Sequence, residues 1–330
     1  MLPQMAVALK HQDMDRKIGP DWLCEPKYDG MRLLLHFPYG KLTEALTRSG
    51  RDVLPQIPDL WKEKAENDLR SFWLKHGYEW FDCELGYVDT WTGSRSGASF
   101  STLNFDFNKT MRVMGSGAAE AQRKAAEFIV DWDNPEPGQE LPLAMIFDIP
   151  DMDAPLWERR VILERCEDEQ ADSYDYFGAS WGAVISQWVG WKESLYDWIV
   201  THGGEGVMVK NPLAHYHPGK RQANNWYKVK KFDTYEAYVT GFDPGQGKYE
   251  GLIGAIVCTT QDDVEVRCSG MTDDERIRIT ARQERIIQQQ WVLEVKHFGL
   301  TAGTPRHPQF LRWREDKGPS DCWFATKEQT

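Results

Sequence analysis

Nowhere in the 330 residues do about 18 apolar side chains follow one another, so no membrane-spanning helix is expected. The start, Met1-Leu2-Pro3-Gln4-Met5, lacks a charged segment followed by an apolar one, which argues against a secretory signal. The 6 cysteines (Cys24, Cys83, Cys166, Cys258, Cys268 and Cys322) form no C-x-x-C pair, so a zinc ribbon has no support. Isolated cysteines suit a reducing compartment, where they act as small hydrophobes, and a cytoplasmic location is expected. His215 and His217 flank Tyr216, but no third ligand lies near in sequence, so this segment reads as a loop. Internal repeats and low-complexity tracts are absent. A basic excess is missing too. The net charge of −12 argues against a protein that coats nucleic acid in bulk.

The distribution of charge says more than its sum. From Glu205 to Lys231 the only acid is Glu205, while Lys210, Lys220, Arg221, Lys228, Lys230 and Lys231 are basic. This reads either as a solvated basic loop or as a local phosphate-binding surface on an acidic body. Hydrophobic residues at 41% and charged residues at 27% fit a globular chain with a real core, and the length suggests more than one domain. The 15 tryptophans are many for this length, and a few could serve as platforms for bases.

The pattern along the chain is mixed. Met31 to Phe37 and Leu42 to Thr47 read as a β-hairpin. Asp59 to His76 reads as a helix with Leu60, Ala65, Leu69 and Phe72 on its apolar face. Trp80 to Val88 reads as a strand. The continuous apolar run Leu143 to Ile149 reads as a strand covered on both sides. Further strands are expected at Val184 to Trp188, Val207 to Val209 and Trp226 to Lys230. Helices are expected at Ala118 to Val130, Leu156 to Cys166 and Lys192 to His202. Beyond Phe232 the character changes to five short strands (Tyr235 to Phe242, Ile253 to Thr260, Val264 to Cys268, Trp291 to Phe298, Phe310 to Arg314). One helix is inserted, opened by the capping box Thr272-Asp273-Asp274-Glu275. That is the pattern of an OB-fold barrel. The expected fold class is α+β: a first domain, 1–232, of antiparallel sheets with flanking helices, then an OB-fold β-barrel domain, 233–330.

One ordered set carries chemistry: Lys27 before the turn Tyr28-Asp29-Gly30, then Arg32, the acids Asp82 and Glu84, Glu205, Lys210, and the pair Lys228 and Lys230. A lysine amine is a poor nucleophile at its free pKa of about 10.4. Neighbouring cations at Arg32, Lys228 and Lys230, with desolvation, would push its pKa down. Glu84 and Glu205 can hold a hard cation such as Mg²⁺ through oxygen ligands, which would neutralise charge on a phosphoryl group under attack. Each residue alone reads as an exposed charge. The set together suits attack on the α-phosphate of a nucleotide.

These residues resemble the nucleotidyltransferase superfamily of ATP-dependent DNA ligases, RNA ligases and mRNA capping enzymes. Lys27-Tyr28-Asp29-Gly30 with Arg32 is similar to the family's nucleophile motif. Thr47-Arg48-Ser49-Gly50, Phe81-Asp82-Cys83-Glu84-Leu85, Ile146-Phe147-Asp148-Ile149, Glu205-Gly206-Val207-Met208-Val209-Lys210 and Trp226-Tyr227-Lys228-Val229-Lys230 resemble its later motifs in order. The segment Arg306 to Lys317 resembles the last one, in the OB domain. That wide final motif and Cys268 to Asp273 favour DNA ligases, and the compactness resembles phage and viral ligases without an N-terminal DNA-binding domain. Two departures stand out: Cys83 replaces the usual glycine before Glu84, and Pro26 precedes Lys27.

The resemblance implies an enzyme: an ATP-dependent DNA ligase that seals nicks in double-stranded DNA through lysyl-AMP, in replication, repair and recombination. It implies ATP and Mg²⁺ or another divalent cation as cofactors, and a monomer in the cytoplasm, the host's if phage-encoded. Lys27 would carry AMP. Glu25 would lie beside adenine through its backbone, and Phe147 would stack on it. Arg32 and Arg48 would contact ribose or phosphates. Glu84 would bind ribose or metal, and Glu205 metal. Lys228 and Lys230 would grip the α-phosphate, while Arg314 and Lys317 would orient pyrophosphate. Arg95, in the Gly93 to Gly97 segment, reads either as a DNA contact or as part of a plain flexible loop. RNA ligase or capping activity is the second reading. An inactive OB-containing DNA-binding module is the third, and the retained acids speak against it. An NAD-dependent ligase would resemble a longer chain with a cysteine-rich zinc module.

Overall fold

The computed structural model describes residues 1–89, 107–127, 140–171, 182–184, 188–189, 192–301 and 303–324. It divides into two compact units, Met1–Lys230 and Lys231–Thr330. The Gly93 to Gly97 segment with Arg95 lies outside the described residues.

The first unit holds strands β1 (Val7–Ala8), β2 (Leu23–Pro26), β3 (Met31–His36), β4 (Glu44–Thr47), β5 (Trp80–Asp89), β6 (Glu140–Asp148), β7 (Gly182–Val184), β8 (Trp188–Val189), β9 (Gly206–Lys210) and β10 (Trp226–Lys230). Its helices are α1 (Met14–Lys17), α2 (Asp59–His76), α3 (Phe107–Met114), α4 (Ala118–Glu127), α5 (Leu156–Ala171) and α6 (Lys192–Thr201). The strands form two five-stranded sheets, ordered β4-β3-β5-β6-β7 and β1-β10-β9-β2-β8. Pairing is antiparallel except between β6 and β7 and between β1 and β10.

Side chains alternate across a strand, and here the alternation sorts core from site. In the first sheet Met31, Leu33, Leu35, Phe81, Cys83 and Leu85 enter the main core. Arg32, Asp82 and Glu84 therefore share the opposite face. Strand β6 is covered on both sides, as its apolar run predicts: Ala144 and Ile146 enter the main core, while Met145 and Phe147 enter a second cluster with Tyr28, Tyr216 and Trp226. In the second sheet Cys24, Val207, Val209, Tyr227 and Val229 pack on the far side. Cys83, replacing the family's glycine, is fully buried in the main core, so its side chain costs the site no space. Ala65 of α2 packs in that core as expected, joined by Trp61; the side chains of Leu60, Leu69 and Phe72 lie outside the described residues.

The single strand expected over Val184 to Trp188 is two strands in two sheets: β7 extends the first beside β6, and β8 the second beside β2. Neither β1 nor β8, at two residues each, is long enough to leave a period in the sequence.

The second unit holds β11 (Asp233–Pro244), β12 (Ile253–Thr259), β13 (Val266–Cys268), α7 (Asp273–Thr280), α8 (Gln283–Gln288), β14 (Val292–His297), the hairpin β15 (Leu300–Thr301) and β16 (Thr304–Pro305), and β17 (Gln309–Trp313). Five strands form one antiparallel sheet, β13-β12-β11-β14-β17, around a core of Ala237, Val239, Ile256, Leu293 and Val295. The expected OB-fold unit is present as this one sheet, which is not closed into a full barrel. Among the described residues its edge strands meet at one parallel bridge, Ser269 with Gln309, where Ser269 O accepts from Phe310 N at 2.8 Å. The single expected helix is two. Thr272 caps α7 with its box complete, and the chain leaves helical geometry at Arg282 (φ −125°) before α8. No helix among the described residues is long and apolar enough to cross a membrane.

Candidate active site

The two sheets of the first unit face each other across the buried cluster of Tyr28, Met145, Phe147, Tyr216 and Trp226. Period two puts Trp226, Lys228 and Lys230 on one face of β10, beside Lys210 and Met208 of β9 and Glu25 of β2. Arg32, Asp82, Glu84 and Phe147 approach from the other sheet.

Lys27 sits where β2 ends. Its backbone N donates to Gly206 O at 2.9 Å. The pairing thus continues past Pro26. By alternation the Pro26 nitrogen faces away from β9, on the side where β8 pairs only with Leu23 and Cys24, so the lost donor costs the β2–β9 ladder nothing. The Lys27 ammonium donates to Glu205 Oε2 at 2.5 Å and to Tyr28 O at 3.2 Å. Lys230 pairs with the other oxygen, Oε1, of Glu205. Glu84 Oε1 accepts from Gly30 N at 3.2 Å, across the turn that follows Lys27. Glu205 can reach the two lysines because Gly206 adopts φ +138°, a conformation that favours glycine.

The electrostatics of Lys27 reverse the sequence expectation. Burial alone would lower its pKa, but Glu205 and then Glu84 outweigh burial and raise it. Cations do lie near it, yet the Glu205 carboxylate is what touches it, with Glu84 acting through its charge. Glu84 is pushed up to about 7 by burial, against the pull of Lys27 and Arg32. Lys228 falls to about 8 through burial and the charges of Lys230, Lys27, Arg48 and Arg221. Arg48 is exposed, and its pKa is lowered by desolvation and by Arg221 and Arg32. This cluster of cations is where an anion would be held.

Arg32 is clamped by Asp82, with Nε to Oδ1 at 2.9 Å and Nη2 to Oδ2 at 2.6 Å. Its guanidinium carbon lies 5.3 Å from the Phe147 ring centre and 5.6 Å from that of Trp226. The Phe147 and Trp226 rings meet edge to face at 6.2 Å and 74°. Phe147 owes its aim to a bulge: Asp82 pairs with Asp148 and Cys83 with Ile146, so Phe147 has no partner in the ladder. Lys210 and Glu25 form a buried ion pair, with the ammonium 4.4 Å from both ring centres. Burial lowers the Lys210 pKa despite Glu25. Asp148 in turn holds Arg159, both fully buried, at 2.5 Å and 3.0 Å.

The sequence reading named Lys27, Glu25, Arg32, Arg48, Glu84, Phe147, Glu205, Lys228 and Lys230, and the first unit brings these together. Arg314 and Lys317 lie in the second unit, where both bind Glu236 and Arg314 also binds Asp316 at 2.7 Å and 2.9 Å. The side chain of Glu25 reaches Lys210, so its contact with the site is more than backbone. In the sequence Asp82 and Lys210 belong to the ordered set without an individual role, Arg221 belongs to the basic stretch, and Tyr216 and Trp226 read as a loop residue and a strand residue. The signal for Trp226 and Lys210 was strand alternation with Lys228 and Met208. No local signal marked Tyr216. His215 pairs with exposed Asp153, in keeping with a loop. Among the described residues no group of three or more His, Cys, Asp or Glu forms a metal cluster.

Residues 1–230 match the family model of the ATP dependent DNA ligase domain. The chain belongs to the ATP-dependent DNA ligase family. Residues 244–314 match the DNA ligase OB-like domain. The chain is similar to a DNA ligase of Haloarcula marismortui, 31% identical over 328 residues, which is 92% of this chain and 53% of that one. It is also similar to DNA ligase 2 of Methanosarcina mazei, 31% identical over 197 residues, 52% of this chain and 34% of that one. It therefore spans between a third and about half the length of these relatives. A solved structure described as a minimal-scaffold Lig E DNA ligase aligns with TM-score 0.60 and 22% identity, over 95% of this chain and 100% of that one. Another, Pmar-Lig_Pre, aligns with TM-score 0.67 and 19% identity, over 95% and 67%. These likenesses show the ligase fold: an adenylation unit followed by an OB-type unit.

Proposed function

We propose that this chain is an ATP-dependent DNA ligase that seals nicks in duplex DNA, with Lys27 as the residue that carries AMP, acting as a monomer in the cytoplasm. The observation that carries this reading is the Lys27 ammonium held at 2.5 Å by Glu205, with Lys228, Lys230, Arg48 and Arg221 as a cation cluster and the Phe147 and Trp226 rings on the facing strands of the same unit.

Adenine enters beside Phe147 and Trp226, with Glu25 and Lys210 at its edge. Lys228 and Lys230 grip the α-phosphate, and Arg32 and Arg48 hold ribose or phosphate oxygens. Lys27 must lose a proton before it attacks, and its ammonium already donates to Glu205 Oε2 at 2.5 Å, a carboxylate placed to take that proton. The amine then bonds to the α-phosphorus and pyrophosphate leaves, oriented by Arg314 and Lys317. The cations stabilise charge that develops on the phosphoryl group. Glu84 and Glu205 fit a divalent cation: both face Lys27, and Mg²⁺ commonly takes one or two carboxylates with the rest of its shell from water and substrate phosphate. Such an ion would neutralise triphosphate charge. AMP then passes from Lys27 to the 5′-phosphate of the nick, and the 3′-hydroxyl displaces it.

The test is a gel with nicked duplex, ATP or NAD, and α-labelled ATP. We expect the wild type to take up label and seal the nick with ATP, and Lys27→Ala to do neither. A wild type that takes no label sinks the enzyme reading. Label without DNA sealing, but with RNA joining or a GTP preference, would move it to the RNA-ligase or capping class.

A further inference from the structure

We propose that Tyr216 is a positioning residue for Arg32, acting through Asp82, and that Gln4 of the N-terminal segment locks Tyr216 in place. This rests on the adenylation reading above, in which Arg32 holds the nucleotide. The geometry is a relay of short bonds between residues far apart in sequence. The Tyr216 hydroxyl donates to Asp82 Oδ2 at 2.6 Å, the oxygen that also receives Arg32 Nη2 at 2.6 Å. The same hydroxyl accepts from Gln4 N at 3.0 Å, and Gln4 Oε1 accepts from His217 N at 2.5 Å. Asp82 and Gln4 are both fully buried.

Burial and then the charge of Asp82 hold the Tyr216 phenol well above its ordinary pKa, so it stays a donor. Asp82 is a two-oxygen acceptor that must keep a long, charged side chain in one orientation between two aromatic rings. Arg32 alone can rotate that carboxylate, because a bidentate pair can swing as a unit. The third bond, from Tyr216, fixes the carboxylate plane and with it the guanidinium. Tyr216 is itself wedged edge-on against Trp226, ring centres 5.8 Å apart, so the base pocket and the arginine clamp share one support. Gln4 is brought there by β1, which pairs with β10 one strand away from β9, and by the backbone bridge of Met5 with Arg221. The N-terminal segment is thus part of the support of the site.

Tyr216→Phe removes only the hydroxyl, and Gln4→Leu keeps the backbone N–H that reaches Tyr216 but removes the side-chain acceptor of His217 N, which ties the N-terminal segment to the Tyr216 loop. ATP binding is measured at equilibrium, and the KM and maximal rate of lysyl-AMP formation are measured separately, in the full chain. We expect Tyr216→Phe to weaken ATP binding and raise its KM about tenfold, the size of one lost hydrogen bond to a charged group. The maximal rate should change less than about twofold, since interactions shared by ground and transition state act on KM. Gln4→Leu should show the same split at smaller size. In an Arg32→Lys background Tyr216→Phe should add almost nothing, because the group it positions is gone. Equal losses in KM and rate alongside a fall in melting temperature would make Tyr216 merely structural and overturn the proposal. So would additive effects with Arg32→Lys, or unchanged binding. A wild type that binds ATP but forms no lysyl-AMP would defeat the function reading instead, and the binding measurements would still decide this one.

Discussion

At Gly206 the backbone leaves no room for a side chain. Its φ of +138° is one that L residues rarely adopt, and a Cβ there would lie 2.1 Å from Val229 O. Gly206→Ala must therefore shift β9 against β10, which carries Lys228 and Lys230. We expect a loss of about 3 kcal/mol or more, from strain and overpacking together, read as a lower urea midpoint. Lysyl-AMP formation should fall further than stability alone explains, because Glu205 moves with its neighbour. A variant with wild-type stability would contradict the close packing. Lys228 carries a second prediction. Its pKa is lowered to about 8, so it is cationic below that pH and loses its charge as pH rises through it. Binding of an uncleavable α,β-methylene analogue of ATP should weaken above about pH 8, and Lys228→Arg, charged at every accessible pH, should remove that limb. Phosphate in the site favours the ammonium, so the limb belongs to the free protein and moves upward when nucleotide is bound. A limb that persists unchanged in Lys228→Arg would assign it to another group.

Among elements, the long and strongly patterned ones were legible. The helix Asp59–His76 and the strand Trp226–Lys230 have the ends the sequence suggests, because 18 residues of one and the alternating lysines of the other leave clear periods. The strand order was not legible, since pairing joins segments as distant as β1 and β10. Nor was the bulge that frees Phe147: a two-against-one register exists only between strands. The motif residues of the site were legible because their order along the chain resembles a family. The direction of the Lys27 shift was not, because it depends on which charge touches the amine, and only folding places Glu205 Oε2 at 2.5 Å. The capping box of α7 was readable from four residues, and it is complete: Thr272 Oγ1 accepts from Glu275 N at 3.2 Å, and Glu275 returns the contact to Thr272 N at 2.7 Å. Thr272→Ala should cost the second unit about 1 kcal/mol. In a domain of this size that is a drop of about 4–8 °C in its melting temperature, measurable by calorimetry. An unchanged transition would mean that tertiary contacts alone hold α7.

For the molecule as a whole, the cores decide what can be separated. Among the described residues three apolar clusters belong to the first unit and one to the second, and none draws on both. Each unit thus has the burial a domain needs to fold by itself. The groups proposed to bind nucleotide divide differently. Lys27, Arg32, Glu84, Phe147, Glu205, Lys228 and Lys230 all lie in residues 1–230, while Arg314 and Lys317 lie beyond. A fragment of residues 1–230 should therefore melt cooperatively and bind ATP within a few-fold of the full chain. Its rate of lysyl-AMP formation should nevertheless fall about a hundredfold or more, the scale of losing a donor that acts on charge developing in the transition state. Arg314→Ala in the full chain should reproduce most of that loss with ATP affinity preserved. In the full chain Arg314 is held by Glu236 and Asp316, so in the proposed role its release from these carboxylates to phosphate would be part of the cost of the step. If the fragment labels as fast as the full chain, pyrophosphate departure needs no help from the second unit, and Arg314 and Lys317 act elsewhere. If the fragment fails to bind ATP at all, the groups of residues 1–230 are not the whole of the proposed nucleotide site.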